Sequence, residues 1–293
     1  MPKDTAAADL IGAEIIGGVI ALTFGGISYQ QASWYFKNYP RDGWQFRFMV
    51  GLLQLLNFAH STTVAGSIYD LGVEQWGSES GSIPSSRSFA VSFFFSSTIV
   101  TATMLFYSYR IHAMTRNYFV PGIVVLGAIV QFCACTMTGI IMSETNQTSY
   151  PTNSKMLPIA ILSSSASAVV DTVIAMTISF RILQSRNSTL EVEKTVRGIA
   201  VLTIQTNAAT TVLIMTTLAL FASHVIRWSN SLYWICVKMY IISILAILNA
   251  RPRASDMDTT HAVWTTTVPA LFPDNHDTFT ENELVVIHHS EPS

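Results

Sequence analysis

The chain has 293 residues, 50% of them apolar and only 12% charged, with a net charge of -2, whereas soluble domains carry about 25% charged residues. A near-neutral chain with no basic stretch excludes a nucleic-acid-tracking surface. The charges fall in short clusters between long uncharged runs, which excludes a pair of soluble domains. Such a distribution makes the lipid bilayer the first partner, because a hydrocarbon core about 30 Å thick takes about 20 mostly apolar residues in a helix.

Seven runs meet that length: Leu10–Phe36, Trp44–Tyr69, Ser88–Tyr109, Tyr118–Met142, Leu157–Phe180, Gly198–Ala222 and Ser229–Ala250. The expected fold class is therefore all-α, an integral membrane bundle of seven transmembrane helices over residues 10–251. A short extracellular segment, residues 1–9, precedes it. The first run is too long for a signal peptide and lacks a basic lead-in, since Asp4 and Asp9 outweigh Lys3, so it reads as a retained span. Loop chemistry separates the runs: "KNYPRDG", "GSESGSIPSS", "ETNQTSYPTN" and "SRNSTLEVEK" are rich in turn formers.

Within the first run Ala13, Gly17, Ala21 and Gly25 recur every four residues, a stripe that admits a neighbouring helix at close range. Packing inside the bundle is the ordinary use of such a stripe. A homo-oligomer formed through the first helix is the sharper one. Pro40, Pro84, Pro151 and Pro252 lie in loops or at ends, and Pro121 and Pro158 stand in first turns, where a missing N–H costs little. No span contains an interior proline, so the broken helices of many transporters are not signalled.

Three charged residues lie inside spans: Glu14, Asp171 and Lys238. A charge at mid-membrane costs about 2.5–3.5 kcal/mol on insertion scales, so each needs a partner or an escape. Glu14, about a turn from its helix end, can reach headgroups or water. Lys238 lies about 14 Å deep at 1.5 Å per residue, beyond the full reach of snorkelling, and Asp171 has a similar depth. The economical expectation is that Lys238 and Asp171 share a buried polar cluster, with Asn57 and His60 on one face of the second helix and Gln205 and Asn207 on the sixth. Such a cluster either lines a ligand pocket or ion path, or fixes helix register through hydrogen bonds worth about 0.6–2 kcal/mol each. No second His or Cys stands at ligand spacing beside His60, so no metal is expected.

Lys and Arg counts orient the bundle. One face would hold Lys37, Arg41, Arg47, Arg110, Arg116, Arg181, Arg186, Lys194, Arg197, Arg251 and Arg253; the other only Lys3, Arg87, Lys155 and Arg227. The positive-inside rule places the N-terminus outside and the C-terminus in the cytoplasm, in the plasma membrane or a membrane of the secretory pathway. The sequon Asn146-Gln147-Thr148 then falls outside and is the glycosylation candidate, while Asn187-Ser188-Thr189 falls inside. Cys133, Cys135 and Cys236 all lie within spans, so no disulfide staples an outer loop. Residues 252–293 form an acidic, Thr-rich stretch, with seven acids (Asp256, Asp258, Asp274, Asp277, Glu281, Glu283, Glu291) against Arg253. That composition reads as a disordered cytoplasmic tail, with "ELVVI" as a short docking element.

Several stretches resemble a family, the seven-helix membrane proteins of unknown function abundant in mushroom-forming fungi. Lys238, Tyr240, Ser243, Leu245 and "LNAR" at Leu248–Arg251 are similar to its closing signature. "YPRDGWQFRFMV" with "NFAH", "RNYFVP", "VVDTVIAMTISFRILQSR" and "TIQTNAATT" resemble its second, fourth, fifth and sixth helices. The resemblance spans about Leu10 to Arg251 and implies seven helices without an assigned biochemistry. This chain departs from it at Asn57 (Asp in the family), Gln205 (Glu), Asn207 (Gly) and Ile242 (Asn).

Four functions compete. A receptor-like or sensory protein agrees with the topology: a small-molecule ligand would enter from outside, and loops and tail would engage a cytoplasmic partner. Tyr109-Arg110 stands where G-protein-coupled receptors carry their inner arginine, but no acid precedes it and no Asn-Pro pair marks the last helix. A transporter or channel would use Asp171, Lys238 and His60 as relay groups, yet no half-to-half repeat is visible. A retinal protein would use Lys238 as attachment point, but the third helix lacks a counter-ion carboxylate and Trp234 stands one turn before the lysine. An enzyme would need a nucleophile–base pair, metal box or phosphate loop, and none stands at useful spacing. A non-enzymatic, receptor-like membrane protein without a cofactor is the favoured expectation, with solute or ion transport as the alternative.

Overall fold

The structure, a computed structural model, describes residues 2–70, 73, 87–145, 156–184, 190–223 and 226–251. The described residues form seven helices: α1 (Pro2–Asn38), α2 (Trp44–Tyr69), α3 (Arg87–Thr115), α4 (Phe119–Thr145), α5 (Met156–Gln184), α6 (Leu190–Ala222) and α7 (Ile226–Asn249). Six of them are long and apolar enough to cross a membrane: α1 over Gly12–Asn38, then α2, α3, α4, α5 and α7. The chain is a multi-pass membrane protein. The sixth expected span, Gly198–Ala222, is helical throughout as part of α6. Both sequons, Asn146 and Asn187, and the tail from residue 252 lie outside the described residues.

Each helix packs on its neighbour in chain order, and α7 closes the ring on α1, while α3 and α7 meet across the middle. The helix ends follow from local chemistry. Asn117 Oδ1 accepts from the Phe119 amide at 3.0 Å, opening α4 two residues before Pro121. Arg116, with φ 51°, ends α3 in the left-handed conformation usually left to glycine or asparagine. The ring faces outward with apolar side chains, such as Leu55 at 65% and Val212 at 64% exposure near the middle of their helices. Trp34, Trp44, Tyr69, Tyr118 and Trp228 are exposed near helix ends, the places where aromatic side chains anchor at a membrane interface.

Without a hydrophobic drive between helices in lipid, close approach and hydrogen bonds must hold the ring. The stripe on α1 supplies the first. A Cβ added at Gly17 would stand 2.2 Å from Ser231 Cβ and 2.8 Å from its Cα on α7, and Ser231 Oγ donates to the Ala13 carbonyl at 2.8 Å. Ala21 is fully buried, and Gly25 faces Ser61 and Asn57 of α2. The stripe is thus occupied by α7 and α2, the packing inside the bundle that is its ordinary use. Gly139 repeats the device on α4, where an added Cβ would meet the Ala90 carbonyl of α3 at 2.8 Å. Ser97–Thr136 at 3.1 Å and Thr101–Gln131 at 3.2 Å then bond α3 to α4.

Candidate functional site

Polar groups follow α7 from one end to the other in four levels. At its N-terminal end Asn230 Nδ2 donates to Glu14 Oε1 at 3.4 Å, beside the Ser231–Ala13 contact. Glu14 is buried here, 2% exposed, and its Oε2 has no partner, so the expectation that it reaches headgroups or water does not hold. It sits on the α7-facing side of α1, one position from Ala13 of the stripe, and the helix rather than solvent surrounds it.

Two turns further on, Lys238 is completely buried. Its Nζ donates to Asn57 Oδ1 at 2.6 Å, Ser61 Oγ at 2.8 Å and the Asn57 carbonyl at 3.2 Å. An ammonium has three protons, and three neutral oxygens take them. Asn57 in turn donates from Nδ2 to Ser28 Oγ at 2.7 Å, tying α1, α2 and α7 together. His60, one turn along α2, turns instead to α3, with Nε2 3.0 Å from Ser96 Oγ and Nδ1 without a partner.

Asp171 lies elsewhere. Its Oδ2 accepts from Tyr240 Oη at 2.5 Å, joining α5 to α7. Next along α7, Tyr107 of α3 and Ser243 share a 2.7 Å hydrogen bond. No hydrogen bond or ion pair joins Lys238 to Asp171 among the described residues. Two positions apart on a helix means a rotation of about 200°, so Lys238 and Tyr240 project from opposite sides of α7. The expected single cluster is two. The same geometry separates the α6 pair: Asn207 is buried, with Nδ2 unpartnered, whereas Gln205 is exposed and does not belong to either cluster.

The fourth level closes the C-terminal end of α7. Arg251 Nη2 pairs with Asp42 Oδ2, which also accepts from Tyr35 Oη at 2.7 Å. Tyr39 Oη donates to the Arg251 carbonyl at 2.5 Å, and the Arg251 guanidinium lies 5.0 Å from the Tyr39 ring centre. Asn249 Nδ2 donates to the Gln31 carbonyl at 2.9 Å. The "LNAR" and "YPRDG" stretches are therefore the two halves of one clasp between α7 and the α1–α2 turn. In the sequence alone Asp42 stands as a turn residue and Arg251 as a topology charge. Their opposite signs at equivalent depth were the available signal.

Asp171, the carboxylate a retinal protein would need as counter-ion, is held by Tyr240, and Trp234 is buried against Phe89 at 5.7 Å between ring centres. All three cysteines are free, with Cys133 exposed and Cys135 and Cys236 buried. Cys135 Sγ stands 3.1 Å from Tyr233 Oη, a tie between α4 and α7.

Comparison with curated proteins yields no match, and neither does comparison with solved structures. Residues 167–253, running from Ser167 in α5 through all of α7 and two residues past the clasp Arg251, match a family of unknown function (DUF6534), and over that stretch the chain is similar to it.

Proposed function

We propose that this chain is a seven-span, receptor-like membrane protein that couples its two faces through α7, with the N-terminus outside and the C-terminus in the cytoplasm. On this reading α6 is the seventh span, Asn146 carries sugar, the protein resides in the plasma membrane or secretory pathway, and it belongs with the fungal seven-helix proteins its sequence resembles. It does no chemistry of its own. The observation that carries the reading is the placement of α7: one helix bears the Glu14–Asn230 level at one end and the Asp42–Arg251 clasp at the other. A single element bonded at both faces is what a coupling between distant sites requires.

The test is hydrogen exchange on the purified protein. Arg251→Gln should speed exchange at Ala13–Gly17 and Asn230–Trp234, roughly 30 Å away along a helix rising 1.5 Å per residue. Faster exchange confined to the clasp would end the coupling idea. Transport is the second reading, favoured by the unpartnered buried atoms His60 Nδ1 and Asn207 Nδ2, which can hold water. Proteoliposomes that dissipate an imposed proton or sodium gradient faster than empty vesicles would select it.

A further inference from the structure

A cavity of about 930 Å³ opens between the α3–α4 turn and the last three turns of α5. Its wall is mixed. Val120, Ala175, Met176 and Phe180 form an apolar flank interleaved with Thr177 and Ser179, and Asn117 and Arg181 stand at the end nearest the helix termini. Met176 and Phe180 are exposed on the outward surface of the bundle, so the cavity opens toward lipid rather than toward the ring interior. Arg116 is exposed one residue before Asn117, held in its left-handed conformation by its amide donating to the His112 carbonyl at 2.8 Å. Neither the Arg116 nor the Arg181 guanidinium has a hydrogen-bond or ion-pair partner among the described residues. Among the described residues, no carboxylate lines the cavity.

We infer that this cavity is a binding site for a phospholipid with an anionic headgroup. The Arg181 guanidinium in the wall, and that of Arg116 on the residue before the lining Asn117, have no partner among the described residues and offer planar donor forks that match phosphate oxygens. The apolar flank runs from Arg181 to Ala175, about 9 Å along α5 at 1.5 Å per residue, and accepts the first part of an acyl chain. A free phosphate would leave that flank uncovered. A zwitterionic lipid would bring a cation beside two arginines. On the orientation proposed above, this end of α5 lies in the cytoplasmic leaflet, where anionic lipids are concentrated.

The experiment uses the full chain in nanodiscs of phosphatidylcholine mixed with phosphatidylserine, and native mass spectrometry of the lipids retained. Each guanidinium is expected to contribute about a fivefold preference for the anionic lipid. The wild type should retain phosphatidylserine preferentially, and Arg116→Gln with Arg181→Gln should remove the preference. The Lys pair, R116K with R181K, should restore most of it, which separates charge from misfolding. Ala175→Leu should weaken retention while leaving every charge in place.

An unchanged preference in the double Gln variant would overturn the site. An unaffected Ala175→Leu variant would reduce it to bare surface charge. Displacement by inorganic phosphate alone would make it a free-anion site. A preference seen only after removal of residues 252–293 would make the acidic tail the occupant instead. Both leaflets of the disc have one composition, so an error in the proposed orientation leaves this test standing.

Discussion

Lys238 spends all of its protons on oxygens that carry no charge, which changes what its removal should do. Lys238→Met leaves Asn57 Oδ1 and Ser61 Oγ without their donor inside the bundle, at a cost of about 1–3 kcal/mol. Unfolding in mixed micelles should record that loss. Because the ammonium does not touch Asp171, the double variant Lys238→Met with Asp171→Asn should show the sum of the two single losses to within about 0.5 kcal/mol. A coupling well above that would mean that the two ions meet after all. The depth of each residue was legible in the sequence, since counting from a span end at fixed rise needs nothing more. Azimuth was not, because it depends on how α7 is rotated against α2 and α5. That is why Gln205, expected in the cluster with Asn57, His60 and Asn207, is exposed while those three are buried, and why Lys238 and Asp171 stand in two sites.

Between helices, the small residues of α1 set the distance to α7. Gly17→Ala forces a methyl onto Ser231 Cα and Cβ, so backbone must give way, and overpacking of this kind costs about 1–3 kcal/mol. Gly26→Ala, which meets nothing within 4 Å, serves as the control and should be neutral or slightly stabilising, since alanine also favours the helix. Equal effects at the two positions would show that the α1–α7 contact is not as drawn. The helices themselves were readable from run length and turn residues, and five of the six apolar spans end within a few residues of expectation, with α3 running on to Thr115. The four-residue period of the stripe was also readable, but its partner was not. A small-xxx-small pattern states that something comes close, without stating whether it belongs to the same chain.

For the molecule as a whole, the clasp ties the last residue of the bundle to its first turn. Arg251→Gln or Asp42→Asn should each cost about 1.5–3 kcal/mol as a charge-assisted hydrogen bond is lost, and together they should cost little more than either alone. Melting of the purified variants checks both statements, and strict additivity would show that the two side chains act separately. Topology is checked by sugar: expression in a eukaryotic host should modify Asn146 and spare Asn187, and the reverse pattern would invert the proposed orientation. Position within the ring also bears on biosynthesis. Helix α7 is the most enclosed of the six apolar spans, meeting α1, α2, α3 and α6, and it leaves the ribosome after the other six described helices. Until it arrives, Asn57, Ser61, Tyr107 and Asp171 sit in a half-built cage with their donors or acceptors missing. Nascent chains interrupted before Ile226 therefore display these polar groups inside the bilayer as a recognisable mark of incompleteness, and quality control in the membrane has a chemical reason to destroy them.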